Sequence, residues 1–333
     1  MESLYTLHQN ANNVKSTLTW FPTGQIQKQV FTDTVTPANA QTCTYTYDTL
    51  NRLTSDNCGT AWNQSFTYDQ LGNIQTSGNV PFTATYNSNN RISNLSATYD
   101  ASGNLLTINT GTVQTYTWDA ENRLSTVNGT TLTYDAFDRV VGRHIPGFTD
   151  AQILYGPTGK LGLHVGQSNA RTYLSLPKGA GITYDGTSVV YQHPDLLGNG
   201  ILGTDNAKNK VFDRFFSPFG DEYANSGATV ADFTGHTQDL DAGLYDFTFR
   251  EQSPIQGRWL NPDPSGMAAV SLGDPQTLNR YAYVRGSAMG MTDPNGLRGA
   301  YGIAVVCILV SSSRWVRSIR LYRAGLVWQW AGH

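Results

Sequence analysis

Tyr47-Asp48-Thr49-Leu50-Asn51-Arg52-Leu53 is a stretch that the chain repeats with variations, and the repetition decides the fold. It returns as Tyr68-Asp69-Gln70-Leu71-Gly72-Asn73-Ile74 and as Tyr86-Asn87-Ser88-Asn89-Asn90-Arg91-Ile92. Three more copies follow: Tyr99-Asp100-Ala101-Ser102-Gly103-Asn104-Leu105, Trp118-Asp119-Ala120-Glu121-Asn122-Arg123-Leu124 and Tyr134-Asp135-Ala136-Phe137-Asp138-Arg139-Val140. A degenerate earlier copy stands at Trp20-Phe21-Pro22-Thr23-Gly24-Gln25-Ile26. From one aromatic to the next the six clear copies run 13 to 21 residues, which is room for two short strands and a turn. The Thr-Tyr-Thr-Tyr before Asp48 alternates with the period of a strand. Asp caps a turn with its side chain, and Gly, Asn or Asp two or three residues later tolerates positive φ. The closing Leu, Ile or Val then falls roughly opposite the aromatic as a cross-strand pair. Each copy reads as one β-hairpin. A lone hairpin is marginal in water, so neighbours must pair edge to edge into one sheet.

Working outward, the 333 residues carry 22 Lys+Arg and 25 Asp+Glu, a net charge of −3 that argues against a basic nucleic-acid binder. Only 14% of residues are charged while 11% are aromatic, with 33 Gly and 13 Pro. That is a turn-rich β composition, and it disfavours helix-rich classes. The N-terminus has no basic stretch followed by an apolar run, so it carries no signal-peptide pattern. No stretch reaches the roughly 18 apolar residues of a membrane-spanning helix. Cysteine and histidine spacing fits no zinc pattern, and neither a metal nor a cofactor is expected.

The repeat resembles the YD repeat of Rhs proteins, of the C components of insecticidal toxin complexes and of teneurins. The second half adds His193-Pro194-Asp195-Leu196-Leu197-Gly198 and Phe219-Gly220, which resemble family segments. Phe233-Thr234-Gly235-His236 and Gly243-Leu244-Tyr245-Asp246-Phe247 resemble the lead-in to the Rhs repeat-associated core domain. That domain's hallmark is similar to Gly257-Arg258-Trp259-Leu260-Asn261-Pro262-Asp263-Pro264-Ser265-Gly266, continuing through Leu278-Asn279-Arg280-Tyr281 to Asp293-Pro294-Asn295-Gly296-Leu297. One departure is Phe249-Arg250-Glu251-Gln252-Ser253-Pro254, in place of the usual Ala-Arg-Tyr-Tyr-Asp/Ser-Pro; it weakens the expected packing beneath Arg258.

The resemblance implies an all-β shell of antiparallel hairpins in a large curved or spiralling sheet, closed at one end by the core domain. The expected organisation is a YD-repeat array over 1–165, further Rhs-type hairpins over 166–229, the core domain over 230–297 and a variable tail over 298–333. It also implies an aspartyl-type self-cleavage between Leu297 and Arg298, for which Asp263 and Asp293 are the candidate acid–base pair; Arg258, near Asp263 in sequence, is the candidate to orient or neutralise a carboxylate through a bidentate contact. Close carboxylates share a proton, so one can activate water while the other polarises the carbonyl. Each Asp alone reads equally as the cap of an Asp-Pro-x-Gly turn. Asp274, in a further Asp-Pro pair, reads first as a surface turn.

Other constellations have blander readings. Gly198-Asn199-Gly200-Ile201-Leu202-Gly203 spells a dinucleotide loop but lacks the strand-before, helix-after context. His193 reads as a histidine satisfied inside a hairpin network. Pairing Tyr47 with Leu53 sets Cys43 opposite Asn57, one residue out of register with Cys58, so free buried thiols are expected unless a bulge intervenes.

The tail 298–333 holds Arg298, Arg314, Arg317, Arg320 and Arg323 and no acid, a formal +5 against −8 for the first 297 residues. It reads as a truncated effector, or as a membrane-active piece whose Arg and Trp suit an interface. Two functions follow. One is the C-terminal part of a toxin-delivery shell, with its own C-terminal segment as cargo and with secretion machinery or a missing N-terminal part of the shell as partners. In that reading it is cytoplasmic before export and then secreted or cell-surface by a non-classical route. The other is a non-catalytic YD-repeat surface or adhesion module. A membrane contact is expected of the tail only, and six or seven hairpins leave an open sheet edge.

Overall fold

Strand alternation is visible in Gln41–Tyr47, where Cys43 and Tyr45 face the core and Thr42, Thr44 and Thr46 face outward. The strand pairs antiparallel with Leu53–Asn57, and the same unit is repeated along the chain. In the computed structural model, residues 2–9, 12–157, 159–176, 180–227, 232–238, 243–297, 299–301, 321–323 and 326–328 are described. Among them there is no α-helix, only strands and short 3-10 turns.

The hairpin turn has one design. At Asp48 the backbone N–H donates to the Arg52 carbonyl, the Asn51 N–H donates back to the Asp48 carbonyl, and Asn51 is left-handed at φ 63°. The Asp48 carboxylate accepts the N–H groups of Leu50 (2.9 Å) and Arg52 (3.0 Å) and the Arg52 Nε (2.7 Å). Asp69, Asp119 and Asp135 repeat this pattern closely, and Asp100 repeats it with Gly103 and Asn104 as donors. At Asn87 the side-chain amide oxygen takes the place of the carboxylate. The same five-residue backbone turn recurs at Phe21, Asp195, Asp205 and Ser217.

The aromatic that opens each repeat ties it to the one before. Tyr47 donates its hydroxyl to the Ile26 carbonyl (3.0 Å), Tyr68 to Leu53 (2.9 Å), Tyr86 to Ile74 (2.5 Å) and Tyr134 to Leu124 (2.8 Å). Trp118 uses its indole N–H on Leu105 in the same way (2.7 Å). The turns also touch side by side, through Asn73 to Asn90, Asn104 to Asn122 and Arg123 to Asp138. Arg52 lies over the ring of Tyr68 and Arg123 over that of Tyr134, adding cation–π contacts between successive repeats.

These hairpins form two meanders in sequence order. A seven-stranded sheet runs from Glu2–Gln9 to Ile74–Gly78, and a fourteen-stranded sheet from Thr98–Tyr99 to Glu222–Ser226. Between them, only the isolated bridges Thr76↔Phe82 and Tyr86↔Ile92 continue the pairing. The last strands of the second sheet come back against the first. Phe215 packs edge-on to Phe31 (4.7 Å), Tyr223 stacks on Trp62 (4.8 Å), and Asn39 donates to Asp213 (2.7 Å). Among the described residues, no strand pairing joins the two sheets into a closed shell.

Residues 245–292 form small strands and 3-10 turns laid across the row of hairpin turns. Arg258 Nη2 donates to the Asn90 carbonyl (2.7 Å), Tyr281 Oη to Gly103 (2.8 Å) and Asn279 Nδ2 to the Asn73 side chain (2.9 Å). Trp259, Tyr245, Phe247 and Tyr283 complete the core beneath Leu53, Phe66 and Ile74.

Cys43 and Cys58 are bonded to each other rather than free. The arithmetic of an unbroken hairpin misses this pair by one residue. A bulge between Thr46 and Tyr47 keeps Tyr47 opposite Leu53 but sets Thr44 opposite Asn57, which brings the two cysteines face to face. His193 accepts or donates to Thr204 Oγ1 at 2.9 Å within its hairpin. Gly200–Thr204 is a strand that leads into the Asp205 turn, with no helix after it. Beyond Leu297 the chain returns in Ala300–Tyr301, which pairs with Met291–Thr292, and a last hairpin joins Leu321–Arg323 to Leu326–Trp328. The rest of the tail, including its apolar run, Arg298 and Cys307, lies outside the described residues.

Asp119→Ala removes the acceptor of two backbone N–H groups and of the Arg123 guanidinium. It is expected to cost about 2 kcal/mol in urea unfolding, whereas Asp119→Asn should cost clearly less. A loss below about 0.5 kcal/mol for the alanine variant would show that the turns hold without their side-chain cap.

Candidate functional site

Residues 245–297 bring Asp263 and Asp293 to one arginine, although they are 30 residues apart in sequence. Arg250 Nη2 lies 3.1 Å from Asp263 Oδ2 and 3.5 Å from Asp293 Oδ2. All three side chains are buried. The guanidinium is fixed on its other sides: Nη1 donates to the Arg280 carbonyl (3.0 Å), Nε to the Gly296 carbonyl, and its plane lies 4.2 Å over the Trp259 ring. Every donor edge is therefore committed, which suits arginine and would not suit lysine.

Both aspartates are also turn caps, as their Asp-Pro-x-Gly sequences suggest. Asp263 Oδ1 accepts the Ser265 N–H (2.8 Å), and the Gly266 N–H closes the turn on the Asp263 carbonyl. Asp293 Oδ1 gathers the N–H groups of Gly296 (2.9 Å) and Leu297 (3.1 Å). Asp293 thus holds the chain at Leu297 with one oxygen and faces Arg250 with the other. The loop between Met291–Thr292 and Ala300–Tyr301 contains the Leu297–Arg298 bond; Arg298 itself lies outside the described residues. An open cavity of about 420 Å3 borders Arg250, Asp263, Asp293 and Leu297.

Burial pushes the Asp293 carboxyl above its ordinary value, and Arg250 and the backbone N–H groups pull against it. Burial likewise draws Arg250 down to about 10, opposed by the two carboxylates, so it stays charged at neutral pH. One cation facing two acids leaves a net negative charge if both ionise.

Arg258 is not part of this group. It is buried between the rings of Tyr86 and Tyr281, at 5.0 and 4.7 Å from their centroids, and donates to the Asn90 carbonyl. Proximity in sequence to Asp263 misled the assignment: on a strand, the side chain of a residue five positions away is free to face elsewhere. The arginine at the carboxylates is Arg250, in the segment that departs from the family pattern. Its signal was available, because the segment keeps the arginine, with Ser253 and Pro254, where the two positions after it change. Asp274 pairs with Arg285 on the far wall of the cavity.

Beside Arg250, Glu251 is buried opposite Asp246 across a strand pair, with a carboxyl oxygen 3.4 Å from the Tyr134 hydroxyl oxygen. Burial first, then the Asp246 charge, pushes its carboxyl up to about 8. His236 stacks on Phe247 at 3.7 Å with Nδ1 at 3.1 Å from the Asp246 carbonyl, and burial draws it down to about 4.

Residues 99–130 match the family model described as RHS Repeat. A stretch of 114 residues, 32% of the chain, is 29% identical to the toxin subunit YenC1 of Yersinia entomophaga; 65 residues, 20% of the chain, are 37% identical to YenC2 of the same organism. These stretches span only 11% and 6% of the two relatives. Among solved structures, a Photorhabdus luminescens Tc holotoxin pore with a TccC3 variant superposes over 91% of this chain with TM-score 0.68 at 19% identity. A TcdB2–TccC3–Cdc42 complex superposes over 86% with TM-score 0.66 at 20% identity. A TcdB2–TccC3 complex without its hypervariable C-terminal region superposes over 86% with TM-score 0.50 at 16% identity. The chain spans 17 to 18% of each of those chains. The fold is that of these Rhs-repeat structures, residues 99–130 carry the repeat itself, and part of the chain is similar to toxin-complex subunits.

Glu251 sets a pH dependence of stability. Its folded value of about 8 lies above the ordinary 4.5, so the stability it contributes is complete below pH 4.5 and is lost as pH rises through 8. Replacing it by Gln should flatten the fall of the thermal midpoint between about pH 5 and 8. His236 acts at the other end: its contribution is present above pH 6.5 and lost as pH falls through about 4. Equal slopes in wild type and Glu251→Gln would exclude this role for Glu251.

Proposed function

We propose that this chain is part of an Rhs-type toxin-delivery shell that releases its C-terminal segment by cutting itself once, after Leu297. The observation that carries the proposal is the shared contact of Asp263 and Asp293 with one Arg250 nitrogen, with the Leu297 N–H bound to Asp293. In the reaction, one carboxylate of the pair takes a proton from water as its oxygen adds to the Leu297 carbonyl carbon. The partner, carrying the shared proton, gives it to the carbonyl oxygen. Collapse breaks the C–N bond, delivers a proton to the nitrogen of Arg298 and leaves a carboxylate on Leu297. Arg250 holds the two acids in register and limits the charge of the pair. Because the bond belongs to the same chain, the step is intramolecular, and a modest site suffices for one turnover.

In this reading the freed piece is residues 298–333, and the partners are that segment and other parts of a toxin-complex shell, with export from the producing cell. The solved relative without a hypervariable C-terminal region supports placing the variable piece at this end. The turn-capping bonds of the same aspartates favour the other reading, a YD-repeat surface module in which they only shape the loops.

Intact mass spectrometry of the purified chain separates the two. Wild type is expected to split between residues 297 and 298. Asp263→Asn and Asp293→Asn should slow the cut by roughly 100-fold or more, and Arg250→Lys should slow it as well. Wild type that stays whole on long incubation, or Asp263→Asn cut at the wild-type rate, would overturn the protease reading.

A further inference from the structure

A second cluster of chemistry-bearing side chains shares no residue with the carboxylate pair and lies on the core face of the hairpin formed by Gln41–Tyr47 and Leu53–Asn57. Asp56 and Cys58 are two residues apart on one strand and face the core, and Cys43 stands opposite Cys58 on the neighbouring strand. The two sulfurs and a carboxylate oxygen of Asp56 all lie within 4.8 Å of one another, and all three residues are at least 95% buried. Asp56 Oδ1 is 3.4 Å from Cys58 Sγ. No Lys, Arg or His among the described residues forms an ion pair with Asp56, so a carboxyl is buried here without a cation, at a cost in stability. A small cavity of about 40 Å3 borders Cys43, Tyr45, Gln41 and Tyr223, with room for one water.

Two thiolates, one carboxylate and one water are the donor set and the number that a tetrahedral zinc ion takes. We propose that Cys43, Cys58 and Asp56 form a zinc site when the disulfide is reduced, so that the hairpin is clamped by a metal in a reducing compartment and by a disulfide in an oxidising one. The step balances as follows. A dithiol reductant passes two electrons and two protons to the sulfur–sulfur bond and becomes a disulfide itself. Zn2+ then binds the two thiolates and the carboxylate, displacing the thiol protons and any proton on Asp56. A solvent water completes the tetrahedron as the fourth ligand. The strand pairing holds the three side chains together in either state, so the backbone need not rearrange.

The test uses the full-length chain carrying Cys307→Ser, which removes the third cysteine. The chain is reduced without oxygen and titrated with Co2+ as a spectroscopic stand-in, then with Zn2+ in competition. Thiolate-to-cobalt charge-transfer absorption and tetrahedral bands should rise to one equivalent in the reduced chain and vanish on adding zinc. The oxidised chain should show none. Cys58→Ser should abolish the bands, and Asp56→Asn should weaken Co2+ binding by at least the roughly tenfold expected for loss of even an outer partner. Zinc should also raise the thermal midpoint of the reduced chain but not of reduced Asp56→Asn, a readout that checks that each variant folds. Absence of the bands in the reduced chain, their presence in the oxidised chain, or unchanged affinity in Asp56→Asn would each overturn the site.

Discussion

A single side-chain oxygen accepting two backbone N–H groups is the interaction on which the rest of this molecule is built. In Asp48, Asp69, Asn87, Asp119 and Asp135 that oxygen sits at the first position of a five-residue turn and collects the N–H groups of the third and fifth. The left-handed residue at the fourth position is Asn51, Gly72, Asn90, Asn122 or Asp138 in the same turns. These are the residue types that bear positive φ at least cost. Because the turn is the same each time, each hairpin leaves it in the same direction. The opening aromatic then reaches back to the previous hairpin's carbonyl. Local turn chemistry thereby becomes long-range order.

The row of turns is also a surface with unusual regularity, and residues 245–292 use it. Arg258, Asn261, Asn279 and Tyr281 each bond to a turn of a different repeat, at Asn90, Asn122, Asn73 and Gly103 respectively. This anchoring fixes the two ends of the segment that carries Asp263. Asp293 is fixed separately, through Arg250 and the backbone N–H groups of its own turn. The carboxylate pair thus rests on the repeats without including any residue from them. A site assembled on such a strap is as precise as the rigid row beneath it.

What the sequence made legible follows from the same chemistry. Aromatic, Asp and a positive-φ residue at fixed offsets are strong local signals, and they located the hairpins through residue 140. The turns at Asp195, Asp205 and Ser217 keep the backbone pattern without the full side-chain signature, so the repeat fades from view while the sheet continues. The disulfide was hidden by one bulged residue, which shifts register by a single step and changes which cysteine faces which. Arg258 and Arg250 were harder still to tell apart. Both are buried arginines near aromatic rings, and which of them faces the carboxylates depends on strand pairing in three dimensions.

Asp263 and Asp293 are turn caps, and the cap and the proposed chemistry make different demands on them. A turn cap needs only an oxygen that accepts, and this chain shows that an amide serves: Asn87 holds the N–H groups of Asn89 and Arg91 at 2.9 and 3.1 Å, as the aspartates hold theirs. Acid–base work needs a group that gains and loses a proton, which an amide does not do in this pH range. An Asp→Asn change at either position therefore keeps the cap and removes the proton transfer. It also leaves Arg250 facing a single charge rather than two, so the cation stays paired and the fold has no new unpaired charge to bury. Loss of cleavage in a variant of unaltered stability would then report on chemistry, because the cap is a demand that asparagine already meets elsewhere in the same chain, and only the contact of the second oxygen with Arg250 goes with the proton transfer.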